Sequence, residues 1–209
     1  MDAMSEPGWR RRRREAILRA AAELFRHAAF ERVQMDDVAR AAGVGKATLY
    51  RYYPSKEDLY LESFDASLVA LEARLAGAAA APLPPTEQLA AMIAALVETL
   101  SDELASLRLL TGNQPALAER WRAVLRAHRQ RITAALRGTL ERGTASGEFR
   151  ALDLDVVPGI LVGMIRGGLM GAAGLPRERV GSAALDLVLQ GSLAGARRET
   201  APALPQAAQ

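Results

Sequence analysis

The sequence predicts an all-α protein with a small three-helix head at the N-terminus and a larger helical body behind it. Apolar residues recur at helical spacing through most of the 209 residues. Stretches rich in Pro or Gly at 82–85 and 111–115 interrupt this pattern, as segments between helices do. Basic residues are concentrated in the first quarter: residues 9–57 contain 12 Lys and Arg against 6 Asp and Glu, and the remainder contains 15 against 18.

The first helix is predicted over about residues 10–28. Its apolar face, which should cover the next two helices, consists of Ile17, Ala20, Ala21, Leu24 and Phe25. The helix starts with five consecutive arginines: Arg10, Arg11, Arg12, Arg13 and Arg14. Positive side chains at the positive end of a helix dipole are locally unfavourable, and a bound anion would relieve the repulsion. The alternative is a solvated, frayed helix start.

Two short helices with a tight turn between them are predicted over residues 35–52. Asp36 and Asp37 suit the positive end of the first helix, and Gly43 suits the left-handed conformation just past its end. Gly45 is small enough to serve as the N-cap of the second helix, predicted over 46–52. The apolar positions between the two helices are Val38, Ala39, Ala42, Val44 and Leu49. Together these features predict a helix-turn-helix.

The outward face of the second short helix is basic and carries several hydroxyl groups. Lys and Arg neutralise phosphates, Thr and Tyr hydroxyls donate to phosphate oxygens, and Ala or a Tyr ring contacts a thymine methyl group. This face is therefore predicted to bind double-stranded DNA through Gly45, Lys46, Ala47, Thr48, Tyr50, Arg51 and Tyr52. The five arginines would then lie along phosphates or enter a minor groove as an arm. The alternative is a solvated helix face beside a small core.

The segment ERVQMDDVARAAGVGKATLYRYYPSKEDLYLESF, residues 31–64, resembles the DNA-binding core of the TetR family of bacterial transcriptional regulators. The resemblance implies an all-helical homodimer that binds a near-palindromic operator, usually as a repressor that a small ligand releases. It also implies that Lys56 binds a phosphate and that Tyr53 is a core aromatic residue. Gln34 stands where the family usually has Thr or Ser, and Gln is a poorer N-cap.

A long helix is predicted to follow Ser55, which caps it together with Asp58 in a variant of the capping box, and to reach about residue 77. By resemblance, this helix connects the head to the body and transmits motion between them. Two body helices are then predicted to start at Thr86, as an N-cap, and at Ser101. A further long helix is predicted over about 116–142.

A nearly continuous run of apolar and small residues follows at 155–175, and then an amphipathic helix over about 178–196. Three interpretations of the run remain open: a transmembrane span, which the central Arg166 opposes; a helix buried within one subunit; and a dimer interface of four helices across a two-fold axis. We favour the interface, because a palindromic operator requires two-fold symmetry. Its residues would be Gly159, Gly163, Gly167, Gly171, Leu185 and Leu189, since glycines at every fourth position allow close helix approach.

Within the body, the resemblance implies a pocket for a small apolar or amphipathic effector. The candidate lining residues are Met92, Leu96, Trp121, His128 and Met164. Ordinary core packing is the alternative for each. The chain has two histidines, His27 and His128, without neighbouring metal-ligating residues in the sequence, so neither a metal site nor a cofactor is expected.

Other classes of function find little support in the sequence. The chain contains no Cys, and it has no G-x-S-x-G motif or phosphate-binding Gly loop, so an enzyme is not expected. The N-terminus lacks the apolar region of a signal peptide, which favours the cytoplasm without a membrane partner. The second candidate function is a helical dimeric interaction or sensor protein that keeps the fold without sequence-specific DNA binding.

The predicted organisation has four parts. They are a disordered N-terminus over residues 1–9, a helix-turn-helix DNA-binding domain over 10–57, a helical ligand-binding and dimerisation domain over 58–197, and a disordered tail over 198–209.

Overall fold

A computed structural model of the chain describes residues 7–28, 30–110, 115–171 and 176–192. Within these ranges the chain forms a 3₁₀ turn, Phe30–Arg32, and eight α-helices. The helices are α1 (Gly8–His27), α2 (Met35–Ala41), α3 (Lys46–Tyr52), α4 (Lys56–Ala80), α5 (Pro85–Leu110), α6 (Pro115–Ala145), α7 (Val157–Gly171) and α8 (Arg177–Ser192). The predicted all-α fold is confirmed.

The two predicted disordered ends fall mostly outside the described residues. The tail at 198–209 and residues 1–6 lie outside them entirely. Gly8 and Trp9, however, belong to α1, so the prediction of disorder was wrong for these two residues. Pro7 stands at the N-cap, where its missing N–H group costs nothing and its fixed φ favours the start of a helix.

An aromatic cluster holds the head together. The ring of Phe25 on α1 lies 5.8 Å from that of Phe30 in the 3₁₀ turn and 5.0 Å from that of Tyr60 on α4. Phe30 and Tyr60 are 5.4 Å apart and meet edge to face. Ile17 and Ala21, on the same face of α1, are fully buried. This confirms the apolar face predicted for the first helix.

The cap predicted for α4 is confirmed. The Ser55 hydroxyl accepts from the backbone N–H of Asp58 at 3.0 Å and donates to the Asp58 carboxylate at 2.6 Å. From this cap α4 runs to Ala80, a little further than predicted. Its later turns bury Leu68, Leu71 and Leu75 against the body, so α4 spans both parts of the molecule, packing on α1 at one end and on α5 and α6 beyond.

Both predictions about the start and middle of α5 were wrong. Thr86 lies inside the first turn, and its N–H and hydroxyl donate to the Glu148 carboxylate at 3.1 and 2.8 Å. That carboxylate satisfies a free donor and complements the positive end of the helix. Ser101 starts no new helix, because neither Pro nor Gly occurs between 86 and 110 and the buried Leu96 and Leu100 continue the same face.

The turn after α6 places Phe149 in the core. Gly147 adopts φ +78°, the left-handed conformation that ends many helices. The chain then folds back, and the N–H of Phe149 donates to the carbonyl of Gly143 at 2.9 Å. The Phe149 ring, only 2% exposed, lies against the backbone of α6 at Gly143.

α7 is half-buried. Pro158, Leu161 and Ile165 face the core, whereas Ile160 is 57% exposed. Among the described residues, no helix combines the length and hydropathy that crossing a membrane requires. The alternative of a helix buried within one subunit does not fit, because four glycines of α7, Gly163, Gly167, Gly168 and Gly171, are exposed in the single chain.

Candidate nucleic-acid interface

α2 and α3 meet across a turn that depends on Gly43. Its φ of +65° lies in the left-handed region that residues with side chains resist. The N–H of Val44, just past Gly43, donates to the carbonyl of Ala39 at 2.9 Å and so satisfies a carbonyl at the end of α2. Val38 and Leu49 are fully buried between the two helices. The head therefore has the geometry of a helix-turn-helix, as the spacing predicts.

α3 turns Leu49 towards the core and most of the predicted DNA-contacting residues towards solvent. Tyr50 is 41% exposed, a large fraction for an aromatic side chain. Within the predicted set, Thr48 and Tyr52 are half-buried, and the exposed members are Gly45, Lys46, Ala47, Tyr50 and Arg51. No heavy atom lies within 4 Å of the place where a side chain on Gly45 would begin, so another molecule can approach the backbone closely there.

Lys46, the first residue of α3, pairs with Asp36 on α2 at 2.8 Å. The hydrogen bond to Asp36 and its negative charge raise the pKa of Lys46 above its ordinary value, so the ammonium stays charged at neutral pH. A phosphate bound at Lys46 would compete with Asp36 for this ammonium group.

Arg14 has an internal partner. Its guanidinium donates to the carboxylate of Glu62 on α4, and the side chain of Tyr53 lies close to it. Tyr53 is 4% exposed, which confirms it as a core residue. Arg14 thus joins α1 to α4, and its predicted contact with DNA stays a prediction.

The other four arginines, Arg10, Arg11, Arg12 and Arg13, lie exposed on the first turns of α1. They are helical, so they do not form an extended minor-groove arm. The guanidinium groups of Arg10 and Arg13 lie 5.5 and 5.4 Å from the ring centroid of Trp9. Trp9 is 49% exposed and was missed at the sequence level, although its four-residue spacing from Arg13 on a helix could have indicated the contact.

Lys56 makes contacts that the resemblance did not imply. Its ammonium donates to the carbonyls of Phe30 at 2.8 Å and Val33 at 3.1 Å, and it lies 4.4 Å from the ring centroid of Phe30. Carbonyls at the end of a short helical turn lack partners of their own, and a lysine at the start of α4 supplies one. In this structure Lys56 therefore binds the protein backbone, and the phosphate contact that the resemblance implies stays a prediction.

The predicted pocket residues are scattered through the core of the body. Met92, Leu96 and Trp121 are almost fully buried, and Met164 is half-buried. Trp121 stacks on Phe64 at 4.8 Å between ring centroids. Met92, Leu96 and Trp121 belong to the hydrophobic core of the body, and Met164 packs against it.

His128 is a polar core residue with two acidic partners on α4. Its Nδ1 lies 2.6 Å from the Glu72 carboxylate and its Nε2 lies 3.0 Å from that of Asp65. Burial raises the pKa of Glu72, but hydrogen bonds from Arg131 and His128 outweigh burial and lower it below its ordinary value. The assignment of His128 to a pocket is therefore corrected: the side chain bridges α6 and α4.

The predicted dimer-interface residues lie in different surroundings. A side chain on Gly163, Gly167 or Gly171 would meet no atom within 4 Å, so these three glycines face open space. Leu185 is instead half-buried and packs against the core beside α5. Large exposed apolar residues in or next to α7 and α8 that the predicted interface did not include are Val156, Ile160, Met170 and Leu187.

Comparison with known proteins agrees with this architecture. The family model described as bacterial regulatory proteins, tetR family, matches residues 17–63. The model described as tetracyclin repressor-like, C-terminal domain, matches residues 82–168. Together the two matches cover well over half of the chain, and they divide it into the same head and body as the fold.

Individual relatives are distant in sequence. The HTH-type transcriptional regulator YhgD of Bacillus subtilis is 24% identical over 150 residues, which cover 72% of this chain and 78% of YhgD. A TetR transcriptional regulator from Streptomyces coelicolor has a similar structure, with a TM-score of 0.65, 26% identity and coverage of 87% of this chain and 99% of that one. FadR from Bacillus subtilis, solved in complex with stearoyl-CoA, has the same fold, with a TM-score of 0.60 at 21% identity over 85% of this chain and 98% of FadR.

The helix-turn-helix geometry, with its Gly43 turn, and the two family matches lead to one conclusion. The chain belongs to the TetR family of bacterial transcriptional regulators.

Proposed function

We propose that the protein represses transcription by binding a near-palindromic operator as a homodimer, and that a small ligand releases it. The observation that carries this proposal is the outward face of α3. Tyr50 is 41% exposed while its neighbour Leu49 is fully buried, and Lys46 and Arg51 add positive charge on the exposed side. An exposed aromatic ring beside two cations matches the phosphates and base edges of a major groove.

The homodimer is supported by the exposed apolar face of α7 and α8. Ile160 and Leu187 are 57% and 64% exposed. A side chain added at Gly163 or Gly167 would meet no atom within 4 Å, so α7 is open to solvent at these two positions. Exposed apolar surface of this kind is typical of protein interfaces. A second copy of the chain would cover the face on both subunits at once, because a two-fold interface joins the same patch to itself.

A small-molecule effector is supported by buried polar atoms in the body. Among the described residues, the indole N–H of Trp121 and the hydroxyl of Ser101 are buried without a hydrogen-bond partner, which is costly. A ligand with polar groups and an apolar part, bound in the body, would supply the missing partners. FadR binds stearoyl-CoA, an amphipathic molecule, and we propose an apolar or amphipathic effector here as well.

In this proposal the protein has no catalytic role and acts on chromosomal DNA in the cytoplasm. The DNA-binding domain covers about residues 10–57 and the ligand-binding and dimerisation domain about 58–197. The boundary falls in the first turn of α4, so this helix carries any movement of the body to the head.

The proposal predicts the effect of Tyr50→Ala. Because Tyr50 contributes exposed ring and hydroxyl to the DNA face, its removal should lower operator affinity about tenfold without changing dimerisation. The measurement is fluorescence anisotropy with duplexes from the protein's own promoter region. Binding should also weaken steeply as salt rises, because phosphate contacts release counterions.

A matched control is Val69→Ala, which truncates a 51% exposed apolar residue on α4 and should leave DNA binding unchanged. Promoter duplexes that bind no better than random DNA at low salt would refute the repressor function. The second candidate, a dimeric interaction or sensor protein without operator binding, would then remain.

A further inference from the structure

An open cleft of about 950 Å³ lies between the DNA-binding head and the body. α1 and α3 line it from the head, α6 lines it from the body, and the N-terminal part of α4 lies between them. None of the five residues assigned above to the body pocket lines this cleft. It is therefore a separate site at the junction of the two domains.

The cleft carries two positive charges without carboxylate partners. Three acidic side chains line it, but each is engaged: Asp58 with Arg120 at 2.7 Å, Glu62 with Arg14, and Asp65 with His128 at 3.0 Å. The two remaining arginines of the lining are Arg10, whose contact is with the Trp9 ring, and Arg51. Within the described residues, neither has an ion-pair partner.

Part of the cleft wall is apolar. Leu61 on α4 and Ala123 and Val124 on α6 line it, and the ring of Tyr52 adds an aromatic surface at the head. Low-polarity walls concentrate the field of nearby charges and so strengthen attraction to an anion. Arg groups bind phosphate and carboxylate through parallel hydrogen bonds and lose little hydration in doing so.

We propose that this cleft binds a small amphipathic anion, whose phosphate or carboxylate pairs with Arg10 and Arg51 and whose apolar part lies against α6. The occupied cleft would hold Arg10 and Arg51, two arginines that are predicted from the sequence to bind DNA and that the repressor would need at its operator. One guanidinium cannot pair fully with both partners, so the anion and the operator compete. This second step rests on the proposed function, whereas binding of the anion does not.

Isothermal titration calorimetry of the full chain with hexyl phosphate at constant ionic strength tests the site. We expect saturable binding of one hexyl phosphate per chain and much weaker binding of inorganic phosphate, which lacks the apolar part. Arg51→Gln should lower the affinity for hexyl phosphate about tenfold, since it removes a charged hydrogen bond. Ala123→Asp should also lower it about tenfold, by placing a like charge beside the bound anion.

Two control variants separate the cleft from general electrostatics. Ala134→Asp adds the same charge at another exposed alanine of α6, outside the cleft lining. Arg40→Gln removes an exposed head arginine that pairs with Asp37 at 3.0 Å. Both should keep the affinity of the parent protein for hexyl phosphate.

Equal affinity of the parent protein and Ala123→Asp for hexyl phosphate would overturn the site, as would equal binding of inorganic phosphate. Anisotropy with promoter DNA supplies the second readout: hexyl phosphate should displace DNA from the parent protein at lower concentrations than from Ala123→Asp. If hexyl phosphate binds the cleft but no promoter duplex is preferred over random DNA, the cleft stands and the proposed repressor function fails.

Discussion

At the end of α6, two glycines are required for different physical reasons. Gly147 has φ +78°, a conformation in which a side chain would clash with its own backbone. Gly143 has no such φ, but the Phe149 ring occupies the place of its missing side chain. A methyl group there would lie 2.1 Å from Cδ2 of that ring. Gly143 therefore determines how deeply Phe149 enters the core.

Gly143→Ala should destabilise the protein by about 1–3 kcal/mol, the usual cost of overpacking a core, although Ala has the better helix propensity. The urea midpoint of unfolding measures it. Gly138→Ala is the control on the same helix, because its added methyl group meets only the Arg142 side chain, at 3.6 Å. Gly138→Ala should leave stability unchanged or raise it by up to about 1 kcal/mol. Equal destabilisation by both variants would contradict the packing argument.

At the scale of helices, one ion pair joins α6 to the first turn of α4. Arg120 donates to the Asp58 carboxylate at 2.7 Å, and the other oxygen of that carboxylate accepts from the capping residue Ser55. Hydrogen bonds from Arg120 and Ser55 lower the pKa of Asp58 below its ordinary value. Because this turn directly follows α3, the pair connects a body helix to the DNA-binding head.

Arg120→Gln should reduce stability at pH 7 by about 0.2–1 kcal/mol, the range for an exposed ion pair. It should also speed amide hydrogen exchange in the first turn of α4. A carboxylate with a lowered pKa stabilises the fold above its ordinary pKa of 3.8, and this stabilisation is lost as the pH falls through the lower folded value. The difference in Tm between Arg120→Gln and the parent protein should therefore shrink below pH 3.8.

Arg122→Gln is the matched control for this ion pair. Arg122 has the same 55% side-chain exposure as Arg120, but its partner Glu119 lies on the same helix. Arg122→Gln should leave exchange in α4 unchanged. Faster exchange in both variants would show that α6 stability, and not the contact with α4, controls the head.

At the scale of the whole molecule, the proposed dimer depends on a face that the single chain does not use. The buried side of α7 holds Leu161 and Ile165, and its close contact with α8 is at Gly168, where an added methyl group would lie 3.1 Å from Val180. Gly163 and Gly167 face away from the chain. The close helix approach that small residues allow would thus occur between subunits at these two glycines.

Gly163→Leu should convert the dimer to monomer in sedimentation velocity, because the new side chain fills space that a partner helix needs. The monomer should fold normally, since a side chain at this position meets no atom within 4 Å. Gly77→Leu on α4, where the surroundings are equally open, is the control and should remain dimeric. A dimer retained in Gly163→Leu would remove the interface from α7.

The helices, caps and turns of the head could be predicted closely, because their signals are local. Gly43 after a short helix, Ser55 three residues before Asp58, and Leu49 between exposed neighbours each depend on spacing within one or two turns. The body offered no such signals. His128 shows why: its partners Asp65 and Glu72 are 63 and 56 residues away, so nothing near it in sequence distinguishes a pocket residue from a bridge between helices.

The sequence by itself determined where the helices lie, the helix-turn-helix and the basic head, because backbone hydrogen bonds, caps and turns act over a few residues. Tertiary structure alone decided which cations remain available for ligands. Lys56 and Arg14 are predicted from the sequence to contact DNA. In the structure Lys56 donates to the carbonyls of Phe30 and Val33, and Arg14 donates to the carboxylate of Glu62. A charged side chain takes the nearest partner that packing brings to it, and packing between distant helices is a property of the whole fold.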